Sequence, residues 1–139
     1  MAAIRPVQAS DLAAICALDA RLTGSGKPDY WREMLVTPGR HFLLAETDRD
    51  LAGFIAGEIR AWEFGQPPAG WVFAIQIDPK LRLKGVGTAL FEALVARFKA
   101  GGVTRVRTLV DRKDHLILSF FRAQGMVAGP SLQLDKDLS

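Results

Sequence analysis

The sequence predicts a single α/β domain, and three observations carry the prediction. Strand-like and helix-like segments follow one another as strand, two helices, three strands, helix, strand, helix, strand, which is a mixed α/β arrangement. Hydrophobic residues make up 49% of the chain and charged residues 24%, the balance of a protein that folds around a packed core. The 139 residues suffice for one sheet covered by helices on both faces, so one site is expected, not two.

Ala3 to Val7 reads as the first strand. Ser10-Asp11 caps a helix whose apolar positions Leu12, Ile15, Leu18 and Leu22 recur at helical spacing, ending by Thr23-Gly24. After the flexible turn from Gly24 to Pro28, Asp29 caps a shorter helix from Tyr30 to about Val36, stopped by Thr37-Pro38-Gly39. His41 to Thr47 and Leu51 to Arg60 are apolar segments separated by Asp48-Arg49-Asp50, the pattern of an antiparallel hairpin. Ala61 to Gly70 contains Gln66-Pro67-Pro68, and prolines without an amide donor keep this stretch out of a full ladder. Trp71 to Ile77 is a further strand, ended by Asp78-Pro79. From Gly85 to about Ala100, the residues Val86, Leu90, Leu94, Val95 and Phe98 mark a strongly amphipathic helix closed by Gly101-Gly102. β-Branched residues make Val103 to Val110 a strand; a helix follows from about Asp114 to Gln124 and Gly125 stops it. Leu132 and Leu134 alternate with polar neighbours in Ser131 to Asp137, which predicts a last strand closing the sheet.

The net charge of +3 comes with acidic residues interspersed throughout and no run of Lys and Arg. That argues against a nucleic-acid-binding stripe and suits an anionic small molecule instead. Cys16 sits among apolar residues at helical spacing and, as the single cysteine, supports neither an internal disulfide nor a metal cage. A reducing, cytoplasmic setting is therefore expected, with no metal. No apolar run approaches the ~18 residues that span a bilayer, and the N-terminus lacks a charged segment followed by an apolar one, so neither a membrane partner nor secretion is expected.

The most informative segment runs from Ile75 to Leu90: a strand ends at Ile75-Gln76-Ile77-Asp78-Pro79, the chain turns, and a helix opens at Gly85-Val86-Gly87. Amides in the first turn of a helix lack internal partners, so a phosphate placed there satisfies them and meets the positive end of the helix dipole. Gly85 and Gly87 remove side chains that would hold a diphosphate off the backbone, and Arg82 and Lys84 add positive charge at the rim. A dinucleotide loop would need a third glycine where Leu90 stands and would open the first strand-helix unit; a Walker-type loop would need Gly-Lys followed by Ser or Thr. Neither fits. A bare G-x-G pair is also compatible with nothing more than a tight helix entry.

Arg82-x-x-Gly85-x-Gly87, placed after an Ile-x-Ile-Asp-Pro strand end and before a long amphipathic helix, resembles the acyl-CoA signature of the GNAT superfamily of N-acetyltransferases. The order of elements from about Ile4 to Leu138 extends the resemblance over nearly the whole chain. It implies one GNAT-like domain over residues 1–139, with a mixed, mostly antiparallel sheet that is splayed in its middle strands. It also implies acetyl-CoA as co-substrate: Ile75 and Ile77 would offer backbone groups to the acyl-pantetheine arm, while Arg82, Leu83, Lys84, Gly85, Val86, Gly87 and Thr88 would surround the pyrophosphate. A second family segment corresponds to Asp114 through Met126. There Asp114 stands where Asn is usual, and Phe121 where a tyrosine commonly protonates the departing thiolate. A phenyl ring has no proton to give.

A coenzyme A thiol with a pKa of roughly 8.5 leaves tolerably without a dedicated acid. An alkyl amine near pKa ~10.4 is the harder partner, because it must lose a proton before it can attack. Glu58 is the candidate base, acting through water; Glu63, His41 and His115 are weaker alternatives, and each of these groups also fits an ordinary solvated or capped position. The resemblance sets Tyr30, Trp31, Trp62, Phe64 and Trp71 on segments lining the acceptor side. Among these, Tyr30, Trp62 and Phe64, with Glu63, are the candidate acceptor contacts, and Trp71 reads as core packing. Acidic Asp29, Glu58 and Glu63 suggest a cationic amine, whether small molecule, peptide or protein. A homodimer pairing through Ser131 to Asp137 is compatible with the family. The competing reading is a non-catalytic acyl-CoA-binding or regulatory domain, suggested by Phe121 and the missing carboxylate on the strand from Trp71 to Ile77.

Overall fold

The computed structural model describes residues 2–139, the side chain of Leu83 excepted. The chain forms two compact units, the first ending at Leu109 and the second running Val110–Ser139. The first unit contains β1 (Ala3–Pro6), α1 (Leu12–Thr23), α2 (Pro28–Val36), β2 (Arg40–Thr47), β3 (Asp50–Arg60), β4 (Ala69–Ile77), α3 (Val86–Ala100) and β5 (Val106–Thr108). Its sheet has the order β1-β2-β3-β4-β5, antiparallel throughout except for the parallel pair β4 and β5. This is the mixed, mostly antiparallel sheet that the sequence predicts.

Strand alternation sorts the side chains to two faces. Phe42 and Leu44 of β2 and Phe54 and Ala56 of β3 pack with Ile15 and Leu18 of α1 and Trp31 and Met34 of α2 in one buried cluster. On the opposite face lies α3, where Phe98 and Leu94 press so closely on Gly57 and Gly70 that neither glycine has room for a Cβ. The β2–β3 turn is a tight pair, Asp48 and Arg49, with φ of 49° and 69° between partnered Thr47 and Asp50. Positive φ at both central residues matches the right-handed twist of the flanking strands.

The first face contains one buried charge. Asp19 on α1 is fully enclosed, and four donors converge on its carboxylate: Trp31 Nε1 at 2.7 Å, Lys27 Nζ at 2.7 Å, Gln76 Nε2 at 2.8 Å and Thr23 Oγ1 at 3.0 Å. Burial alone raises the pKa of such a group, but the hydrogen bonds from Lys27, Gln76, Trp31 and Thr23 outweigh it and hold Asp19 below the usual carboxylate range. The bond to Gln76 ties α1 to β4. Cys16, one turn earlier, is half-buried against the same cluster, and burial pushes its thiol up.

Several boundaries differ from expectation. Asp29 does not cap α2; the helix begins at Pro28, whose fixed φ suits the first helical position, and Asp29 in the first turn pairs with Arg32 at 2.6 Å. Asp11 makes no side-chain cap on α1; a short 3₁₀ turn precedes the helix, and the carboxylate takes the Gln8 amide and the Arg5 guanidinium. β5 is shorter than the stretch from Val103 to Val110: it starts only at Val106, opposite Gly70, and it stops at Thr108, opposite Val72, where the bulge at Phe73 interrupts β4. In the second unit α4 (His115–Ala123) forms as expected, but Ser131 to Asp137 is not a strand. Leu132 and Leu134 there are 82% and 88% exposed; two leucines among charges bury too little to order a strand. The pairing expected to join two copies therefore has no strand to use.

His41 on β2 faces α3, its ring 5.7 Å from that of Phe98. Burial and then the Arg97 charge hold its pKa below the usual value. The unfolded chain takes up this proton near pH ~6.5 and the folded one only at lower pH, so the associated stability is complete above that value and falls as pH drops below it. We expect His41→Phe, which keeps the ring contact without a titrating group, to gain on the wild type between pH 8 and pH 5.5 in urea unfolding. A constant gap would mean that His41 titrates normally in the fold.

Candidate functional site

The bulge at Phe73 sets the geometry of the site. Ala56 of β3 lies opposite Ala74 and Gly57 opposite Val72, so Phe73 is the extra residue. Before it, β4 is joined to the chain leading through β5: Gly70 N–H donates to Arg105 O at 2.9 Å, and Thr108 Oγ1 donates to Val72 O at 2.9 Å. The β4–β5 ladder ends at Val72, and no strand among the described residues pairs with that side of β4 beyond it. The two strands therefore part as a fork. Downstream, Asp78 N–H donates to Ala52 O at 2.8 Å and the Gln76 carbonyl faces β3 beside Gly53. Alternation then turns the backbone groups of Ile75 and Ile77 outward, to the open edge.

That edge leads directly into the glycine turn. Asp78 Oδ1 accepts the Lys80 amide at 3.0 Å, and Pro79–Lys84 forms a 3₁₀ turn, so the helix starts at Val86 and not at Gly85. Gly85 is the hinge, with φ of 75° and no atom within 4 Å of the place a Cβ would take. The first helical bond runs from Ala89 N–H to Gly85 O at 3.0 Å, which leaves the Val86 and Gly87 amides at the exposed end of the ladder. Arg82, Lys84 and Thr88 are exposed around this end, Val86 and Gly87 are buried in the turn, and the backbone of Leu83 belongs to it as well. A free sheet edge with outward amides, followed by a helix N-terminus flanked by two cations, fits a ligand that is peptide-like along its length and doubly phosphorylated at its end.

At the fork lies a cavity of about 430 Å³. Its walls are Trp71, Val72 and Phe73 of β4, Leu109 after β5, Tyr30 of α2, Arg40 of β2 and Arg60 of β3. Arg40 Nε reaches Glu58 Oε2 at 3.4 Å across the β2–β3 ladder. The Arg60 guanidinium stacks 4.6 Å over the Trp71 ring and donates from Nη2 to Glu63 at 2.6 Å. Glu58 is the ladder partner of Trp71 and is half-buried beside the cavity.

Of the candidate acceptor contacts, the structure brings only Tyr30 into the cavity wall. Trp62 is 66% and Phe64 105% exposed, both at positive φ on a short turn away from it. Glu63 turns back to Arg60. Trp71, expected in the core, is a cavity wall, because the core ends where the sheet forks. Trp31, expected on the acceptor side, is buried and donates to Asp19. Asp29, Glu58 and Glu63 are each paired with an arginine, and the charged residues in the cavity wall itself are Arg40 and Arg60. Nothing in the sequence analysis singled out those arginines, although each stands on a hairpin strand at the parity of Glu58. In the second unit, Asp114 caps α4 by accepting the Ile117 amide at 3.1 Å, Phe121 is buried, and His115 is exposed. Among the described residues no group of three or more His, Cys, Asp and Glu stands together to hold a metal, and no helix is long and apolar enough to cross a membrane.

Residues 10–126 match the acetyltransferase (GNAT) family profile. Over 90 residues, 65% of this chain, the sequence is 29% identical to an L-2,4-diaminobutyric acid acetyltransferase of Nocardia farcinica. The match spans less than half of that relative, 45% of its length. Among solved structures, an aminoglycoside antibiotic 6'-N-acetyltransferase of Acinetobacter baumannii superposes with a TM-score of 0.87 at 20% identity, covering 100% of both chains. An aminoglycoside N-acetyltransferase in complex with CoA gives 0.86 at 18% identity, covering 100% of this chain and 96% of that one. At such identities the structural likeness is one of fold. With the family profile matching most of its length and the forked sheet meeting the glycine turn, this chain belongs to the GNAT acetyltransferase family.

Proposed function

We propose that this chain is an N-acetyltransferase that moves an acetyl group from acetyl-CoA to a primary amine by direct attack. The fork carries the reading: an open edge of β4 runs from the glycine turn to a cavity at its apex. Acetyl-CoA, when bound, supplies an activated acetyl thioester. The outward amides and carbonyls of Ile75 and Ile77 pair with the amide-bearing arm, and the Val86 and Gly87 amides with Arg82 and Lys84 neutralise the pyrophosphate. Leu83 and Thr88 complete this turn. Asp114 and Phe121 are included as cofactor-binding positions on the family motif alone.

The chemistry needed from the protein is small. The acceptor ammonium loses one proton before it attacks; its nitrogen then forms a C–N bond as the thioester C–S bond breaks and gives up a second proton, which passes through water to the departing thiolate. The first proton is the one that needs a base. Glu58, held by Arg40 beside the cavity, receives that proton through water. The thiolate departs without a dedicated acid, as Phe121 requires. An amine acceptor is supported by the relatives, one named for diaminobutyric acid and others for aminoglycosides. A cytoplasmic setting suits the single half-buried thiol.

Paired variants test the binding half. Asn and Asp both tolerate the left-handed backbone of Gly85 and have the same size, so Gly85→Asn and Gly85→Asp differ in charge alone. We expect the Asp variant to bind acetyl-CoA on the order of tenfold more weakly than the Asn variant by calorimetry. Equal affinities would move the pyrophosphate elsewhere. For the transfer half, thiol release from acetyl-CoA should accelerate with a suitable amine; if no amine in a broad panel does this, the non-catalytic reading wins.

A further inference from the structure

The acceptor cavity offers a second ammonium no unpaired carboxylate. Among the groups that line it, the charged ones are the Arg40 and Arg60 guanidiniums, and the nearby carboxylates of Glu58 and Glu63 are each engaged by one of these arginines. On the neighbouring helix Asp29 is 94% exposed on its side chain and paired with Arg32, and Glu33 is exposed outside the lining. A second ammonium brought into the cavity would find matched ion pairs and no free partner in the wall.

The arginines also have donors to spare. A guanidinium carries five N–H donors in a planar fork. Arg40 spends only Nε, at the long distance of 3.4 Å, and Arg60 bonds Glu63 through Nη2 alone. The terminal nitrogens of Arg40 and the Nε and Nη1 of Arg60 have no hydrogen-bond acceptor among the described residues. Trp71 holds the Arg60 guanidinium carbon 4.6 Å from its ring centroid, which keeps that group in the wall of the cavity. Tyr30 adds a hydroxyl, and Val72, Phe73 and Leu109 supply apolar walls for a short methylene chain. A volume of about 430 Å³ lies at the small end of the range for small-molecule sites and leaves room for an amino acid.

We infer that the acceptor is an amino acid carrying a second, terminal amine: its carboxylate is taken by Arg60 with Arg40, and its terminal nitrogen is delivered along the apolar wall to the fork. This deepens the acetyltransferase reading and rests on it. The arginine pair is a specificity device, selecting the zwitterionic acid over the diamine that lacks the carboxylate, because only the acid fills the open N–H donors of the two guanidiniums, while a second ammonium in that place finds no acceptor.

Matched probes test this on the wild-type chain: ornithine against 1,4-diaminobutane, lysine against 1,5-diaminopentane, and 2,4-diaminobutanoate against 1,3-diaminopropane. Each pair differs by the carboxylate. With saturating acetyl-CoA, the amino acid of at least one pair should exceed its diamine in kcat/KM on the order of ten- to a hundredfold. In Arg60→Gln that ratio should collapse toward one, with Arg60→Lys in between; a merely structural role would lower both members alike and leave the ratio standing. Equal rates, a preference for the diamines, or an unchanged ratio in Arg60→Gln overturns the inference. If no probe turns over, calorimetric binding of the same pairs to the CoA-loaded protein decides it, and absent or equal binding counts against it. A separate acetyl-CoA titration tells the two levels apart: no CoA binding sinks the acetyltransferase reading and the inference with it, whereas CoA binding without carboxylate selection sinks the inference alone.

Discussion

Asp19→Asn should destabilise the protein by about 1–3 kcal/mol, the scale of weakening charge-assisted hydrogen bonds in an enclosed place, since the Lys27 partner, 38% exposed on its side chain, keeps access to water. The substitution keeps the volume but gives one carboxamide corner hydrogens. Toward Oδ2 these face Trp31 Nε1–H and the Lys27 ammonium; toward Oδ1 they face Gln76 Nε2 and Thr23 Oγ1. The Oδ1 orientation relieves the clash, because the Gln76 amide can turn its unpartnered Oε1 to the new hydrogens and the Thr23 hydroxyl can accept, so what is lost is the charge that strengthened these bonds. With total stabilities of about 5–15 kcal/mol for domains of this kind, thermal unfolding should shift by roughly 4–12 °C. The pH dependence identifies the cause. Because the folded pKa of Asp19 is depressed, its contribution is present above the unfolded value near pH ~3.9 and is lost as pH falls through the folded value. The gap between wild type and Asp19→Asn should therefore be full at pH 7 and narrow in acid. Trp31→Phe, which removes one donor and also empties volume in the core, should keep most of its cost in acid, where the Asp19→Asn gap closes. A gap for Asp19→Asn that stays constant in acid would mean that its cost does not come from the carboxylate charge.

Asp19 also shows where sequence reasoning stopped. It stands seven residues after Leu12 and four after Ile15, on the apolar face of α1, and a charge at such spacing calls for a partner. The partner of longest range, Gln76, lies 57 residues away, so only the folded sheet could reveal it. Local signals did better. The β2–β3 hairpin, the amphipathic α3 and the strand-turn-helix passage through Gly85 are each set by neighbours within a few residues, and they were legible. The bulge at Phe73 was not, because it depends on which residues of β3 stand opposite, and with it went the end of β5 and the exposure of Trp71. The charge around the acceptor was read from acidic positions alone. Counting Asp29, Glu58 and Glu63 left out their arginines: Arg40 meets Glu58 through the strand register, whereas Arg32 and Arg60 stand only three residues from Asp29 and Glu63 and were within reach of a local reading. The last strand failed for a different cause: Leu132 and Leu134 alternate correctly, but alternation without a covering surface does not order a chain.

Glu58→Gln should lower kcat by about 10²–10³ while leaving acetyl-CoA affinity unchanged, if Glu58 takes the proton released by the attacking amine. The amide oxygen can still accept from Arg40 Nε, so the cross-strand pairing and the cavity wall survive the change. Only the basic oxygen is lost. The attacking nitrogen is the group that needs it: an alkyl ammonium near pKa ~10.4 is almost wholly protonated at pH 7, and its free-base fraction rises about tenfold with each unit of pH below that value. Solvent hydroxide can therefore replace the missing base as pH rises. The deficit of Glu58→Gln should shrink toward pH 10, and it should be small at any pH for an acceptor whose nitrogen is weakly basic and already unprotonated. A residue that merely holds Arg40 in place would behave otherwise. Its loss would raise KM for the acceptor more than it lowers kcat, with the same deficit at every pH and for every amine. That pattern would assign Glu58 to the wall of the cavity and leave proton removal to water alone.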